Sequence, residues 1–293
     1  MKISNNSKIM NLFLNLKFNQ LAWSFRRLYC PVKKNDLVLE VGSGGNPYFR
    51  SNVLLDSYLN TRERHWVPLI TDRPTILGFV ENLPFQDKSF DFVIASHVLE
   101  HSTNPSKFLQ ELQRVSKAGY IEVPDAFMER INPYLDHRSE ITIRNNKLLI
   151  KLKPRAEVDP ELVKLYTNKV NKVISSDTMR RFPFHFHVRY YWNNNIDFEI
   201  TNPDIDANWL AQKESPITPK LNFRANLNKI ILQIVRYLFS QNNRNNQLNL
   251  NKIFMCPKCN NNDLQFTNII FCSSCNTTYN VENGIYNFKI SIN

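Results

Sequence analysis

Long apolar runs and glycines are scarce in this 293-residue sequence. No stretch approaches the roughly 18 apolar residues that a membrane-spanning helix needs. Asn11, Asn15 and Lys17 interrupt the apolar N-terminus before it reaches the length of a signal peptide. Only six residues are glycine, so the three within positions 42–45 stand out. We therefore expect a cytoplasmic protein without a membrane span.

Cysteine is scarce as well, with five residues in the whole chain. Four of them form two C-x-x-C pairs near the C-terminus, and Cys30 stands alone. This usage is typical of a reducing cytoplasm and a metal site, and it argues against a secreted disulfide scaffold.

Positive charge is in excess: the formal net charge is +11 and the pI is about 9.4. Such a balance indicates attraction to nucleic acid, to an acidic membrane surface or to a phosphorylated substrate, without choosing among them. The abundance of Asn, Lys and Ile beside few glycines suggests an AT-rich genome, so we give the basicity little weight. The apolar fraction of 42% supports a real core.

Residues 8–29 carry apolar side chains at helical spacing and predict one amphipathic helix. We expect it to cover an edge of the following domain, and binding to an anionic bilayer is the alternative. A second basic amphipathic segment spans 221–242. The apolar face of the first helix comprises Leu14, Phe18, Leu21, Phe25 and Leu28.

Short apolar strands alternate with helical patterns from residue 37 to 125, which predicts a parallel sheet. One helix is well marked, with Asn104 as N-cap, Pro105 at its first position and Gly119 past its end. The segment HVLEH precedes it and follows the fourth strand. The predicted strands are 37–41, 52–55, 75–80, 90–95 and 120–123.

Two antiparallel hairpins are predicted after this region. ITIRNNKLLIKL has an Asn-Asn turn between alternating runs, and a second hairpin pairs 184–192 with 196–201 through an Asn-rich turn. The second would close the parallel sheet and place Phe186, Val188, Tyr190 and Trp192 on one face.

Four segments follow from these patterns. We expect an N-terminal helix (1–31), a catalytic domain (32–220), a basic helix with a polar linker (221–250) and a small cysteine-containing domain (251–293). Within the second, 37–125 forms the cofactor half and 126–220 the acceptor half, whose last part, 202–220, is proline-punctuated and irregular.

The glycine-rich stretch VGSGGNPYFR follows the first predicted strand. Pro47 stands where a dinucleotide fingerprint requires Gly or Ala, so that class is disfavoured. The stretch instead fits acid-x-Gly-x-Gly, with Glu40, Gly42 and Gly44, and Asp56 ends the second strand. Glycines here let backbone approach a ligand closely.

These residues, together with LPF, SFDFV and VLEH farther along, resemble the class I S-adenosylmethionine (SAM)-dependent methyltransferases, in particular the small-molecule type of quinone biosynthesis. The likeness covers residues 37–125. It implies an α/β fold with a Rossmann-like, mostly parallel sheet, which the second predicted hairpin would close and the small C-terminal cysteine-containing domain would follow. It also implies SAM as the cofactor.

The resemblance implies roles for individual residues. Glu40, Gly42 and Gly44 would hold the amino-acid part of SAM, and Asp56 would accept both ribose hydroxyls. The adenine would meet Glu81 or a backbone carbonyl, with Phe79 or Leu83 as an apolar wall, and Ser96 would complete the cofactor side. The alternatives are ordinary strand-end acids, or a fold retained as a scaffold without cofactor.

Two departures from the family pattern matter. Phe79 and Val80 stand where the family usually has an acid at the end of the third strand. Only ten residues separate Val41 from Asn52, so the first helix can be a turn or two at most.

Catalytic candidates follow the strands. His97 is the first choice for a residue facing the acceptor, and His101 either joins it or braces its loop. His137, next to Arg138, would suit an anionic acceptor or lie on the surface. His185 and His187 share a predicted strand face, but no third metal ligand accompanies them.

The cysteines read C-x2-C-x12-C-x2-C, comprising Cys256, Cys259, Cys272 and Cys275. This spacing predicts a structural Zn²⁺ site without an open coordination position. IFMCPKC and CNTTYNVENGIYNF also resemble the small zinc-ribbon activator that partners tRNA, ribosomal-RNA and release-factor methyltransferases. The resemblance implies a ribbon that docks in cis on the catalytic domain and stabilises it.

Our leading expectation is a methyltransferase acting on a small-molecule, glycan or lipid-precursor acceptor. The first alternative is an RNA or protein methyltransferase of the translation apparatus, which the predicted ribbon and the positive net charge favour. The second is a non-catalytic nucleic-acid-binding module. Peripheral contact with an anionic membrane or with RNA stays open.

Overall fold

The computed structural model describes residues 4–131, 134–155, 159–209 and 223–289, without the side chains of 223–229 and 231. Parts of the predicted irregular segment and of the second amphipathic helix lie outside these ranges. The chain divides into two units. Unit 1 comprises Met1–Pro31, Ala95–Phe108 and Gly119–Lys213, and unit 2 comprises Val32–Ile94, Leu109–Ala118 and Glu214–Asn293.

The five strands predicted between residues 37 and 125 are present, but only one α-helix, between the fourth and fifth strands, separates two of them within this described stretch. The strands are β1 (Val38–Val41), β2 (Val53–Asp56), β3 (Thr75–Leu77), β4 (Phe92–Ser96), β5 (Ala118–Pro124), β6 (Ser139–Arg144), β7 (Lys147–Leu152), β8 (His187–Asn193), β9 (Phe198–Ile200), β10 (Leu264–Phe266), β11 (Ile269–Cys272), β12 (Thr277–Glu282) and β13 (Ile285–Asn287). The helices are α1 (Lys8–Asn15), α2 (Asn19–Phe25), α3 (Pro105–Val115), α4 (Ala126–Ile131), α5 (Pro160–Leu165), α6 (Asn171–Val173), α7 (Met179–Arg181), α8 (Phe223–Phe239) and α9 (Asn242–Asn245).

Unit 2 is built on a sheet in which β4, β1, β2, β3 and β13 are neighbours in that order. β1 pairs with β2, β2 with β3, and β3 with β13, all in parallel. Every residue of β1, β2 and β3 is buried, which is typical of parallel strands covered on both faces. The expected α/β fold with a mostly parallel sheet is confirmed.

The crossover from β1 to β2 contains no helix, where the sequence allowed a turn or two at most. Residues 42–52 form turns and bends only, with no helix among them. Two polar contacts stabilise this stretch: the Asn52 amide donates to the Val38 carbonyl (2.8 Å), and the Asn52 side chain accepts from the Val38 amide (3.0 Å). The parallel pairing is therefore reached by a compact loop.

Unit 1 contains the first predicted hairpin but not the second. β6 and β7 pair antiparallel, and the turn residues Asn145 and Asn146 have φ values of 51° and 61°, as a tight hairpin turn requires. The predicted pairing of 184–192 with 196–201 is wrong, because β9 runs parallel to β7 instead. The predicted faces of β8 are confirmed: Val188, Tyr190 and Trp192 are buried.

The N-terminal segment is a helical hairpin and not the single helix predicted for 8–29. Lys17 has a φ of 61°, which ends α1 and redirects the chain into α2. The rings of Phe13 and Phe25 stack across the hairpin with centroids 5.3 Å apart. Helical periodicity persists across such a break, so sequence alone did not indicate it.

Two local predictions in this region are confirmed. The Asn104 side chain accepts a hydrogen bond from the Lys107 amide (3.0 Å), which makes it the N-cap of α3. Gly119 packs against Trp192 so closely that a Cβ would lie 2.7 Å from the indole ring. Across the described ranges, no helix is both long and apolar enough to cross a bilayer.

Candidate functional site

The glycine loop after β1 adopts conformations that favour glycine. Gly42 and Gly44 have φ values of 61° and 59°. A Cβ on Gly45 would lie 2.4 Å from the Val67 side chain, so the 61–70 segment approaches the loop closely. The glycines thus allow the 61–70 segment to approach the loop, and the expected approach of a ligand to the same backbone stays a prediction.

Asp56 ends β2 and reaches across to the glycine loop. Its Oδ2 accepts from the Gly44 amide (3.0 Å), and its Oδ1 accepts from the Tyr58 amide (3.1 Å). The Arg64 guanidinium forms an ion pair with Oδ1 at 2.8 Å. Asp56 is buried, so these groups compensate the desolvation of its carboxylate.

Glu40 stabilises the loop from inside. Its Oε2 accepts from the Tyr48 amide (2.8 Å) and from the Ser51 hydroxyl (2.5 Å), and the side chain is buried. Ser43 lies between the two glycines, and its buried Oγ has no hydrogen-bond partner in the described part of the chain. A buried hydroxyl of this kind can satisfy a polar ligand atom.

The residues predicted to surround the rest of a cofactor lie in different environments. Phe79 is exposed and packs edge-to-face on Tyr58 (6.1 Å between centroids), with the Lys289 ammonium 4.4 Å from the Tyr58 ring. Glu81 is half-buried in the short turn that follows. Leu83 is fully buried, which places Phe79 rather than Leu83 at the surface.

His97 follows β4 in unit 1, in a conformation that is strained for a histidine. Its φ is 57°, which costs on the order of 1–3 kcal/mol and is typical of functional positions. Its imidazole lies between two acids, with Nδ1 3.5 Å from Glu100 and Nε2 3.5 Å from Glu122. Burial alone would lower the pKa of His97, but these carboxylates raise it to about 9.

Glu122 in β5 collects most of the polar groups around His97. Arg26 donates to both of its oxygens (2.9 and 3.1 Å), and the hydroxyls of Tyr120 and Ser96 donate to it as well (2.5 and 3.4 Å). Burial alone would raise its pKa, but His97 and Arg26 hold the pKa of this carboxyl well below its usual range. Ser96 therefore contacts Glu122 in unit 1.

His101 and His137 are adjacent, with ring centroids 4.8 Å apart in an edge-to-face arrangement. Arg138 donates to the carbonyls of Ala207 (2.6 Å) and Trp209 (2.7 Å). Its guanidinium therefore binds backbone of unit 1 itself. The predicted shared strand face of His185 and His187 is wrong, because His185 is exposed in the turn Pro183–His185 and the strand begins at His187. Among the described residues, neither histidine belongs to a group that could hold a metal ion.

The four cysteines converge in unit 2. Their Sγ atoms lie within 4.8 Å of one another, with 3.7 Å between Cys256 and Cys275 and 3.6 Å between Cys259 and Cys272. Four thiolates at about 2.3 Å from zinc stand about 3.8 Å apart, so the spacing suits tetrahedral Zn²⁺. A hydrogen bond to Thr277 lowers the pKa of the Cys275 thiol, which favours the ligating thiolate.

The cysteine-containing segment, residues 253–289, forms a ribbon of antiparallel strands from β10 to β13. Its last strand continues the parallel sheet, with Tyr286 opposite Ile76 of β3. The Phe254 ring stacks on Phe85 (5.7 Å), and the Met255 amide donates to the Pro84 carbonyl (3.0 Å). The ribbon is thus part of the core of unit 2.

Several residues of these clusters were not predicted from sequence. Arg64 and Arg26 come from surface-like segments that gave no signal. The sequence did contain a signal for Glu122, because it is the single acid in the apolar run Tyr120–Val123. A buried acid in a strand needs polar partners. Glu100 also had a signal, as the middle residue of Leu-Glu-His.

Comparison with known proteins gives a family match over part of the chain. Residues 59–121 match a family model described as a methyltransferase domain. The match covers well under half of the chain. It begins after Asp56, so the glycine loop lies outside it.

Two curated relatives, both named uncharacterized proteins of Methanocaldococcus jannaschii, match parts of the chain. One is 49% identical over 44 residues, or 15% of this chain and 22% of that protein. The other is 31% identical over 114 residues, or 37% of this chain and 48% of that protein. The chain therefore spans about half or less of the curated relatives it matches.

Solved structures give a more distant likeness. A SAM-dependent methyltransferase from Thermotoga maritima is 22% identical, with 42% of this chain and 58% of that chain covered and a TM-score of 0.28. At this score the likeness adds nothing to the fold described above.

Proposed function

We propose that this chain is a SAM-dependent methyltransferase whose cofactor is held by the β1–β2 region of unit 2. The observation that carries the proposal is the contact of Asp56 with the Gly44 amide, which brings a strand-end acid to a glycine loop at the carboxyl ends of parallel strands. Ligands of open α/β sheets bind at this edge. The methyltransferase match over residues 59–121 supports it independently.

The residues present suit SAM, which when bound supplies an electrophilic methyl group. Gly42 and Gly44 offer backbone without side chains, and the buried Ser43 hydroxyl offers an unsatisfied polar atom. Asp56 is positioned to accept ribose hydroxyls once Arg64 leaves its Oδ1. Phe79 offers an exposed ring and Glu81 a carboxylate for the adenine.

We extend the proposal to an acceptor that is a small molecule, a glycan or a lipid precursor. The likeness of LPF, SFDFV and VLEH to small-molecule methyltransferases supports this class. His97 is our candidate to face the acceptor, because its strained backbone and its 41% exposed side chain distinguish it from the buried acids around it. Its role would be to orient the acceptor for in-line transfer.

The ribbon would act as a structural stabiliser within the same chain. Four cysteine ligands leave zinc no open position, which favours a structural over a catalytic metal. β13 covers the edge of β3, and an uncovered edge strand invites aggregation. Both features support a stabilising role.

Transfer of a labelled methyl group into a fractionated lysate tests the proposal. We expect labelled product in the small-molecule, glycan or lipid fraction from the wild-type chain and none from Asp56→Ala. Asp204→Ala is the matched control, because Asp204 is an exposed acid in unit 1. Label confined to RNA or protein would favour the translation-apparatus alternative. Absence of label from every fraction would contradict the proposal that the chain is a methyltransferase.

A further inference from the structure

Three side chains of unit 1 that can ligate a metal ion converge near the turn that follows β4. Glu100 and His101 belong to the turn Leu99–His101 between β4 and α3, and His137 lies two residues before β6. One ligand atom from each lies within 4.8 Å of the other two. The turn and the strand are joined by a hydrogen bond from the Arg138 amide to the Glu100 carbonyl (2.7 Å).

The Glu100 carboxylate is buried without adequate partners. The residue is 2% exposed, and neither Oε1 nor Oε2 has a hydrogen bond to any described residue. Its one ion-pair contact, with His97 Nδ1, is long at 3.5 Å. A buried carboxylate needs several strong partners to offset its desolvation, and a bound cation supplies them.

The two histidines are oriented by their Nδ1 atoms. His101 Nδ1 lies 3.2 Å from the Asp136 carbonyl, and His137 Nδ1 lies 2.6 Å from the Glu129 carboxylate. Carbonyl and carboxylate oxygens accept hydrogen bonds, so each Nδ1 donates, and Nε2 is the ring nitrogen that would face a metal ion. Lys153 pairs with the other oxygen of Glu129 and so keeps that carboxylate in place.

This arrangement reproduces the surroundings of a metal centre. Ligating histidines donate their other ring N–H to a carboxylate or a backbone carbonyl, which fixes the tautomer. Ligands about 2.1 Å from a metal ion stand about 3.4 Å apart, so the three side chains have to close by about an ångström. His101 is half-buried and lies in a turn, so rotation of its side chain can supply a shift of this size, whereas Glu100 and His137 are buried.

We propose that Glu100, His101 and His137 bind a divalent transition-metal ion, at a second metal site separate from the cysteine ribbon. Two imidazoles and one carboxylate suit zinc, iron or cobalt, whereas Mg²⁺ and Ca²⁺ prefer oxygen ligands alone. Three protein ligands leave coordination positions for water or for an anionic oxygen of a ligand. The ion therefore adds a Lewis acid to unit 1.

Cobalt titration of the full chain, loaded with one zinc per chain in the ribbon and then freed of excess zinc, tests this site. We expect one Co²⁺ to bind per chain with weak d–d absorption and no thiolate charge-transfer band, because no sulfur belongs to this site. Cobalt uptake accompanied only by thiolate charge transfer, or no uptake at all, would overturn the proposal. The readout is independent of methyl transfer, so a failed activity assay does not affect it.

Variants assign the ligands. His137→Ala and Glu100→Gln should each weaken Co²⁺ binding more than tenfold, and Glu129→Gln by about 10- to 100-fold through the histidine it orients. His185→Ala is the control, because His185 is exposed and outside the cluster. If Glu100→Gln fails to fold, His101→Asn replaces it. Unchanged Co²⁺ affinity in the folded ligand variants would refute the assignment.

Discussion

At the scale of single residues, Asp56 has two sets of partners that compete. The Gly44 and Tyr58 amides favour a carboxylate that is held ready for a ligand, whereas the Arg64 ion pair occupies the oxygen that a ribose would need. Arg64 also lies against the glycine loop, since a Cβ on Gly44 would be 3.1 Å from its Cδ. If Asp56 accepts the ribose hydroxyls as proposed, cofactor binding has to displace Arg64.

Arg64→Ala should tighten SAM binding about fivefold, because displacing the ion pair should cost on the order of 1 kcal/mol while the Gly44 and Tyr58 amides still compensate Asp56. Isothermal titration calorimetry measures the change, with Arg62→Ala as a neighbouring control. Weaker binding in Arg64→Ala would mean that this guanidinium contacts the cofactor instead of competing with it.

Glu122 should stabilise unit 1 in a pH-dependent way. Its folded pKa lies below the ordinary value of 4.5, so its contribution is present above that pH and is lost as the pH falls towards the folded pKa. Arg26→Gln should cost about 3 kcal/mol at pH 7, because it leaves the buried carboxylate with fewer partners. Urea unfolding at pH 7 and pH 4 measures both effects.

The control for this pair is the double variant. If the cost of Arg26→Gln arises from an unpaired Glu122, the same substitution should cost much less in a Glu122→Gln background. An equal cost in both backgrounds would show that Arg26 acts through packing on Trp23, whose ring lies 3.8 Å from the guanidinium.

Residues of the site differ in how well the sequence predicted them. Gly42, Gly44 and Asp56 were predictable, because backbone approach and a strand-end acid follow from local order along the chain. Arg64, Arg26 and Glu129 were not, because their partners are set by loops that meet only in the folded units. Leu83 was assigned to an apolar wall, yet its side chain is fully buried.

At the scale of elements, the ribbon and the parallel sheet share one aromatic cluster. Phe254 is 1% exposed and lies within 6.0 Å, between ring centroids, of Phe85, Phe266, Tyr286 and Phe288. Phe85 precedes β4, and the other rings belong to the ribbon. This cluster and the β3–β13 pairing join the ribbon to the rest of unit 2.

Phe254→Ala should therefore destabilise the chain by about 3–5 kcal/mol, the usual cost of removing a buried aromatic side chain. Ile269→Ala is the matched control in the same ribbon: its side chain is 42% exposed, and the change should stay within about 0.5 kcal/mol. Equal effects in denaturant unfolding would contradict the shared core.

Loss of zinc should reach beyond the ribbon. Cys259→Ser should remove one zinc equivalent per chain and lower the unfolding midpoint by more than about 4 °C, because β13 is held in register by the ribbon. Cys30→Ser is the control outside the cluster. Metal analysis and thermal unfolding give the result, and an unchanged midpoint in zinc-free Cys259→Ser would contradict a stabilising ribbon.

Elements were predictable where local pattern decides them. β1, β2, β4 and the N-cap of α3 follow from apolar runs and capping residues within a few positions. The break at Lys17 depends on a single backbone conformation that helical periodicity does not record. The pairing of β9 with β7 is a non-local choice, and alternation alone did not distinguish it from a hairpin with β8.

At the scale of the whole molecule, the account assigns different chemistry to the two units. Unit 2 combines the glycine loop, Asp56 and the cysteine cluster, and unit 1 contains Glu100, Glu122 and the histidines around them. The net charge of +11 is compatible with an anionic acceptor, but it does not identify one. The central claim is therefore that unit 2 binds SAM.

Calorimetric titration of the purified chain with SAM tests that claim most directly. We predict one SAM per chain, with affinity reduced about 10- to 100-fold in Asp56→Ala, because charge-assisted hydrogen bonds contribute about 1.5–3 kcal/mol. Asp204→Ala should bind as the wild type does. Absence of SAM binding by the folded wild-type chain, or equal binding by Asp56→Ala, would contradict the account.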